Sequence, residues 1–392
     1  MTLNQRHQSG FSLLEALIAI SITITVTAGV FAVLSPSRGI GETQPEFADM
    51  QQRLRVGVDT LLGDLIMAGG GAYTGSTAGG LVGHFAPIMP FRRGSSTAYD
   101  DGPGVFRTDA ATIVYVPSTA SQTTVRAPMP GATSVDIGSD SGCPVGDPPC
   151  GFKPGTSVIV YDGTGAFDAF SVIGADAGGT LALWPMQPAG LSKVYEAGTK
   201  VVEVVRHAYF LDPSSQQLMR YDGLSSAASV LDNVVGLTFE YYGEPAPPAF
   251  LHADRDRSVS YGPEPPPLDT TQSPWRPGEN CTWQMGGGVQ VPRLASLGAG
   301  SGLVKLTSAQ LTDGPWCPDA ASENRYDADL LRVRTVRVMI RLQTGNALLR
   351  ASLASGRGAL FANTGTASQA PRMVPDLSIR FDVSPRNMNL SR

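Results

Sequence analysis

Glu15 is the only charged side chain between Phe11 and Leu34. A carboxylate in so apolar a run costs roughly a few kcal/mol to place in lipid, and such a group calls for a partner. Its chemistry is electrostatic. Four cysteines offer thiol chemistry. Cys143 and Cys150 have the spacing of a small disulfide loop, and Cys281 and Cys317 remain, near Trp283 and Trp316. Four Cys permit three pairings, and the sequential one is expected. A zinc site has neither a Cys-x-x-Cys pair nor a nearby His to build on. Asp254 with Asp256, and Asp327 with Asp329, set carboxylates at alternate positions, so calcium is the best inorganic candidate. Neither pair fits the twelve-residue calcium loop, and solvated surface charge is the plainer account. No resident cofactor is expected.

Catalysis finds little support. His84, His207 and His252 are scattered, and His207 falls in a strand pattern, where a packed or surface histidine is expected. Asp140-Ser141-Gly142 has the look of a nucleophile turn, but a flexible turn before Cys143 suffices. No Gly-x-Ser-x-Gly elbow occurs. The glycines from Gly69 to Gly75 follow a helical pattern and lack the Lys-Ser/Thr ending of a phosphate loop. The chain is therefore not expected to be an enzyme. With 29 Lys+Arg against 34 Asp+Glu, a net charge of −5 and no basic run, a nucleic acid is not an expected partner. Asn280-Cys281-Thr282 and Asn389-Leu390-Ser391 fit the glycosylation triplet.

The elements that carry these residues are of two kinds. Phe11 to Leu34 is 24 residues. At about 1.5 Å per residue a helix of that length is roughly 36 Å long and spans a bilayer core. Arg6 ahead of it favours a cytoplasmic N-terminus, although Arg38 follows the other end. A secretory signal would have a shorter apolar run and a small-x-small site, and Ser35-Pro36-Ser37 is a poor one. A plain anchor explains the length but not Glu15. Pro36, Gly39 and Gly41 predict a bend or loosening over Ser35–Gly41. A second helical pattern runs from Pro45 to Ala68. Phe47, Met50, Leu54, Val58, Leu61, Leu62, Leu65 and Ile66 form its apolar stripe, with Arg53, Arg55, Asp59 and Asp64 between them. Most of the stripe is expected to pack on the chain's own sheet, and Gly69 to end the helix as a left-handed cap.

Past Tyr73 the sequence reads as short strands and turns: 112–116, 157–161, 180–184, 201–205, 208–211, 234–242, 333–341 and 377–383, with a hairpin after Leu211. Forty-five Gly and 30 Pro in 392 residues are too many for a helical bundle, and 42% hydrophobic residues too many for a disordered chain. The fold class is α+β: a long N-terminal helix and a large β-rich body. The stretch 243–280 is rich in Pro and expected to be an irregular loop covering the sheet. Its Pro263-Glu264-Pro265-Pro266-Pro267 has the alternative of a polyproline ligand. The stretch 69–104 also reads as loop.

Gly10-Phe11-Ser12-Leu13-Leu14-Glu15 resembles the processing site of the type IV pilin superfamily. The resemblance implies a leader of residues 1–10, cleavage by prepilin peptidase between Gly10 and Phe11, and N-methylation of Phe11. It places the family's acidic residue on Glu15, whose charge would meet the Phe11 amine of a neighbouring subunit and enforce register. Residues 11–34 become the transmembrane and filament-core helix, 35–70 its amphipathic continuation, and 71–392 the periplasmic or extracellular body. The pieces "LMRYDG", "EYYG" and "VRTVRVMIRL" resemble the PilW-type minor pilins, and in part the J-type minor pseudopilins of type II secretion. The implied function is a minor pilin that primes pilus assembly and sits at the filament tip. Its alternatives are a minor pseudopilin, and a membrane-anchored periplasmic enzyme or binding protein. Implied partners are other minor pilins, the major pilin, the inner-membrane assembly platform and a tip-associated adhesin. The implied location is the inner membrane, single-pass with the body in the periplasm, and then the pilus at the cell surface. That compartment favours disulfides.

Overall fold

The computed structural model describes residues 11–72, 80–139, 142–187, 190–251, 258–346 and 374–389. The chain divides into two compact units, residues 1–52 with 343–377, and residues 53–342 with 378–392. The leader 1–10, with Gly10, lies outside the described residues.

One α-helix runs from Leu13 to Met67, 55 residues. The interruption predicted over Ser35–Gly41 is not found. A proline in a helix removes one backbone N–H and its hydrogen bond, and the long apolar run on one side and the packed stripe on the other carry the helix through positions 36 and 45. In the first unit the Glu46 carboxylate accepts from the Thr344 hydroxyl at 2.6 Å and the Gly345 amide at 2.9 Å.

In the second unit the helix buries Leu54, Leu61, Leu65 and Ala68. Gly57 shares this buried face, because a Cβ there would lie 3.0 Å from the Leu231 side chain. Ile66, placed in the stripe by its spacing, is 47% exposed, and Asp64, placed among the polar residues, is buried. The helix ends as its sequence predicts. Gly69 has φ +75°, where a side chain would be strained, and its amide turns to the Val114 carbonyl at 3.0 Å.

Among the described residues, three larger sheets and two two-stranded ribbons make up the β structure, and their strands pair antiparallel. A five-stranded sheet has the order 88–89, 110–115, 205–212, 217–221, 227–232. A six-stranded sheet has the order 122–124, 200–203, 157–161, 167–175, 180–185, 134–136. A four-stranded sheet has the order 304–306, 234–243, 333–342, 377–383. The six-stranded sheet covers a core that includes Val158, Val160, Phe170, Val172, Leu181, Leu183 and Val201. Strand 333–342 alternates strictly from Thr335, with Val336, Val338, Ile340 and Leu342 inward. On the outward face of the four-stranded sheet, Lys305 pairs with Glu240 at 2.6 Å. Arg337 stands 3.9 Å from Glu240 and meets Asp382 at 2.7 Å.

Disulfides join Cys143 to Cys150 and Cys281 to Cys317, the sequential pairing. The described part of the Pro-rich insertion is irregular, as predicted, but it is bound into the body. Asn280, fully buried, donates to the Glu264 carbonyl at 2.7 Å, and Gln290 donates to that of Pro266 at 2.7 Å. Buried Arg332 donates to the carbonyls of Glu244, Pro245 and Ala246. Pro265 and Pro266 are buried, so this run is not presented as a free polyproline ligand. Asn280 also accepts from Thr282 and Trp283 and offers no free amide for a glycan. The second triplet's Asn389 donates to the carbonyls of Arg334 and Pro385.

Candidate functional site

The first described turn carries a reciprocal pair that spacing alone contains. The Ser12 amide donates to Glu15 Oε2 at 3.1 Å, and the Glu15 amide donates to Ser12 Oγ at 3.2 Å. Ser-x-x-Glu ahead of an apolar run is a capping box, which satisfies two of the four N–H groups a helix start leaves open. The carboxylate also sits at the positive end of the helix dipole. Glu15 thus has a role within its own chain that reading it only as a partner for another subunit overlooks.

Behind it, Leu13–Ala32 has a mean hydropathy of 2.0, is long and apolar enough to cross a membrane, and buries none of its length. Its hydroxyls do not spoil this surface. Ser21, Thr23, Thr25 and Thr27 each donate to the carbonyl four residues back, at 2.6 to 2.8 Å. Every side-chain donor is thereby satisfied inside the helix, as an apolar surrounding requires. Phe11 and Leu13 are 84% exposed. Such a surface is stable only against lipid or other apolar helices.

The second constellation fixes the other end of the helix. Asp64 Oδ2 meets His207 Nδ1 at 2.6 Å and accepts from the Tyr209 hydroxyl at 2.6 Å, while Oδ1 accepts from the Tyr115 hydroxyl at 2.9 Å. The donors come from two neighbouring strands of the five-stranded sheet. Burial pushes the Asp64 carboxyl up, but His207, Tyr209 and Tyr115 outweigh it and hold the group below the ordinary carboxylate range. The same carboxylate pushes the Tyr115 and Tyr209 hydroxyls far up, after burial as the larger cause. Asp64→Asn offers one acceptor oxygen to donors that had two, and is expected to cost about 2 kcal/mol or more of stability. Tyr115→Phe, which removes one donor and leaves the others paired, is expected to cost about 1 kcal/mol. Urea unfolding of the two variants checks both the values and their order.

Of the calcium candidates, Asp254 and Asp256 lie outside the described residues. Asp327 and Asp329 come together with Asp313, with ligand oxygens within 4.8 Å of one another. Spacing could not have found Asp313. Two of the three carboxylates have protein partners, however. Asp327 accepts from the amides of Asp329 at 2.8 Å and Gly314 at 2.6 Å, and Asp329 is paired with Arg332. Asp327 is accounted for as a helix cap and Asp329 as the ion-pair partner of buried Arg332.

Asp168 is the most enclosed carboxylate among the described residues, at 0% exposure. It accepts from the Ser192 amide and hydroxyl at 2.7 Å, from the Tyr195 hydroxyl at 2.9 Å and from the Asn324 amide. Burial nevertheless pushes it up to about 6. A raised folded pKa means that the folded state holds the proton more tightly. Its contribution is therefore complete below the unfolded value of 3.8 and is lost as pH climbs through about 6. Wild type should lose about 2–3 kcal/mol relative to Asp168→Asn between pH 3.5 and pH 7. Parallel stability curves for the two proteins across that range would contradict this. His207 sits in a strand, as its pattern predicts, and half-buried His84 packs edge-on against Tyr161. His252, Asp140 and Ser141 lie outside the described residues.

Residues 5–31 match the prokaryotic N-terminal methylation motif. The match spans the cleavage position, Glu15 and most of the apolar run. No curated protein and no solved structure matches the chain. Motif and helix together mark a chain that is processed by prepilin peptidase and anchored through its N-terminal helix.

Proposed function

We propose that this chain is a minor pilin of a type IV pilus, of the PilW type, which helps prime assembly and sits at the filament tip. It acts by subunit association and not by catalysis. The supporting observation is the 20-residue apolar helical segment Leu13–Ala32, exposed throughout, that begins at Glu15's capping box and lies almost wholly within the methylation motif. Cleavage after Gly10 makes the Phe11 amine a cation beside that box. In a filament core, Glu15 then exchanges the Ser12 amide for the amine of a neighbour, a stronger charge-assisted contact. Prepilin peptidase, the assembly platform, the major pilin and other minor pilins are the partners this reading requires, with a tip-associated adhesin beyond them. The large β body suits the end of a fibre better than repetition along it. The body faces the periplasm before assembly and the cell exterior afterwards.

The test is deletion and complementation. Loss of the chain should abolish surface pili, wild type should restore them, and Glu15→Ala should not. Normal piliation after deletion overturns the proposal. Loss of protein secretion with pili intact assigns the chain to a type II secretion system as a minor pseudopilin. Full activity of Glu15→Ala in both assays points to an anchored enzyme or binding protein.

A further inference from the structure

Arg206 stands in strand 205–212 with 8% of its surface exposed. Its Nη2 donates to the Gly223 carbonyl at 3.2 Å, and its Nε has no acceptor. Among the described residues it forms no ion pair. The neighbouring cation, Arg93, is differently placed: it pairs with Asp100 at 3.1 Å and donates to Asn324 Oδ1 at 2.6 Å. Burial, and then Arg93, push Arg206 down to about 10. A buried donor left without an acceptor costs about 1–3 kcal/mol, and a native core rarely keeps one.

Arg206 and Arg93 line a nearly closed cavity with Thr112, Gln187 and Asn324. It has room for the centre of one water-sized sphere, about 10 Å³. The hydrogen bonds around it leave a definite balance. Gln187 Oε1 accepts only the Ala169 amide. Thr112 Oγ1 accepts the Arg93 amide and gives its proton to the Phe91 carbonyl. Asn324 Oδ1 accepts only from Arg93. Of the fully buried side-chain donor atoms on these residues, Arg206 Nε alone lacks an acceptor, while three oxygens each keep a lone pair. We infer that this cavity is a binding site for one water molecule, which accepts from Arg206 Nε and donates to two of the three oxygens on Gln187, Thr112 and Asn324. A halide beside two guanidinium groups is the obvious rival. It would satisfy one donor and face three oxygen lone pairs, whereas water matches both sides of the balance.

The water joins Arg206 to a buried chain that runs from Asp168 through Asn324 and Arg93 to Asp100. That chain links a strand of the six-stranded sheet to the loop beside the five-stranded one. The test is a crystal structure of the full chain in detergent, grown with bromide as the anion. An ordered peak about 2.9 Å from Arg206 Nε and within reach of two of the named oxygens, without anomalous signal, is the expected result. An anomalous bromide peak in the cavity overturns the assignment in favour of an anion site. An empty cavity, with Nε bonded elsewhere or unbonded, overturns it altogether. In Arg206→Met the peak should vanish, and a peak that stays shows that Arg206 does not hold the water.

Discussion

Valine in place of Gly10 leaves residues 1–10 attached, and the intact mass of the membrane-extracted chain reports it directly. Wild type should begin at Phe11 and carry one added methyl group, whereas Gly10→Val should keep its leader. The consequence reaches beyond the cut. Without cleavage the Phe11 nitrogen stays in an amide, so no cation is released at the helix start. Glu15 then keeps the uncharged Ser12 amide as its partner, and a carboxylate so placed is poorly compensated in lipid. Glu15→Gln separates the two steps, because it should be cut normally and still fail to enter filaments. Both variants should abolish incorporation, and only Gly10→Val should change the N-terminus. A functional wild-type chain that keeps Met1, or is cut near Ser35, would sink the reading.

The second large effect belongs to the Cys281–Cys317 disulfide, which spans 36 residues. On the chain-entropy account, a loop of that size stabilises by about 4 kcal/mol and the seven-residue Cys143–Cys150 loop by less. The larger bridge also holds the end of the Pro-rich insertion where Asn280 gathers the Glu264 carbonyl and the Thr282 and Trp283 amides. Replacing Cys281 and Cys317 with alanine should therefore lower the unfolding free energy by about one and a half times as much as replacing Cys143 and Cys150. Urea unfolding of the two double variants decides the order. An equal or reversed order would mean that the loop-length account fails here.

Much of the fold could be read from the sequence where one local force dominates. Ser157–Tyr161 and Leu377–Val383 fall at their predicted bounds, because alternating or β-branched residues between turn residues leave few other choices. Gly69 was legible because little else tolerates its backbone angle. The helix through position 36 was not, because a proline's local penalty says nothing of the long helical runs on either side. Asp64 failed for the opposite reason. A helical wheel places a carboxylate on the solvent side unless donors await it, and its donors lie 51, 143 and 145 residues away. Ser12 was in plain view. Its Ser-x-x-Glu spacing is a local signal, passed over once Glu15 had a longer-range explanation. Asp313 joins Asp327 only through the folded backbone, beyond the reach of any spacing rule.

The row Lys305, Glu240, Arg337, Asp382 alternates in sign across four strands that arrive from distant parts of the chain. Exchange of the two central strands would set Lys305 beside Arg337 and Glu240 beside Asp382, two repulsive contacts in place of attractive ones. A slip of one residue would turn Arg337 inward and Val336 and Val338 outward. The row thus works as an error check on sheet assembly: a wrong strand order is penalised at both ends of the row, and the strand supplied from beyond residue 374 completes the right one.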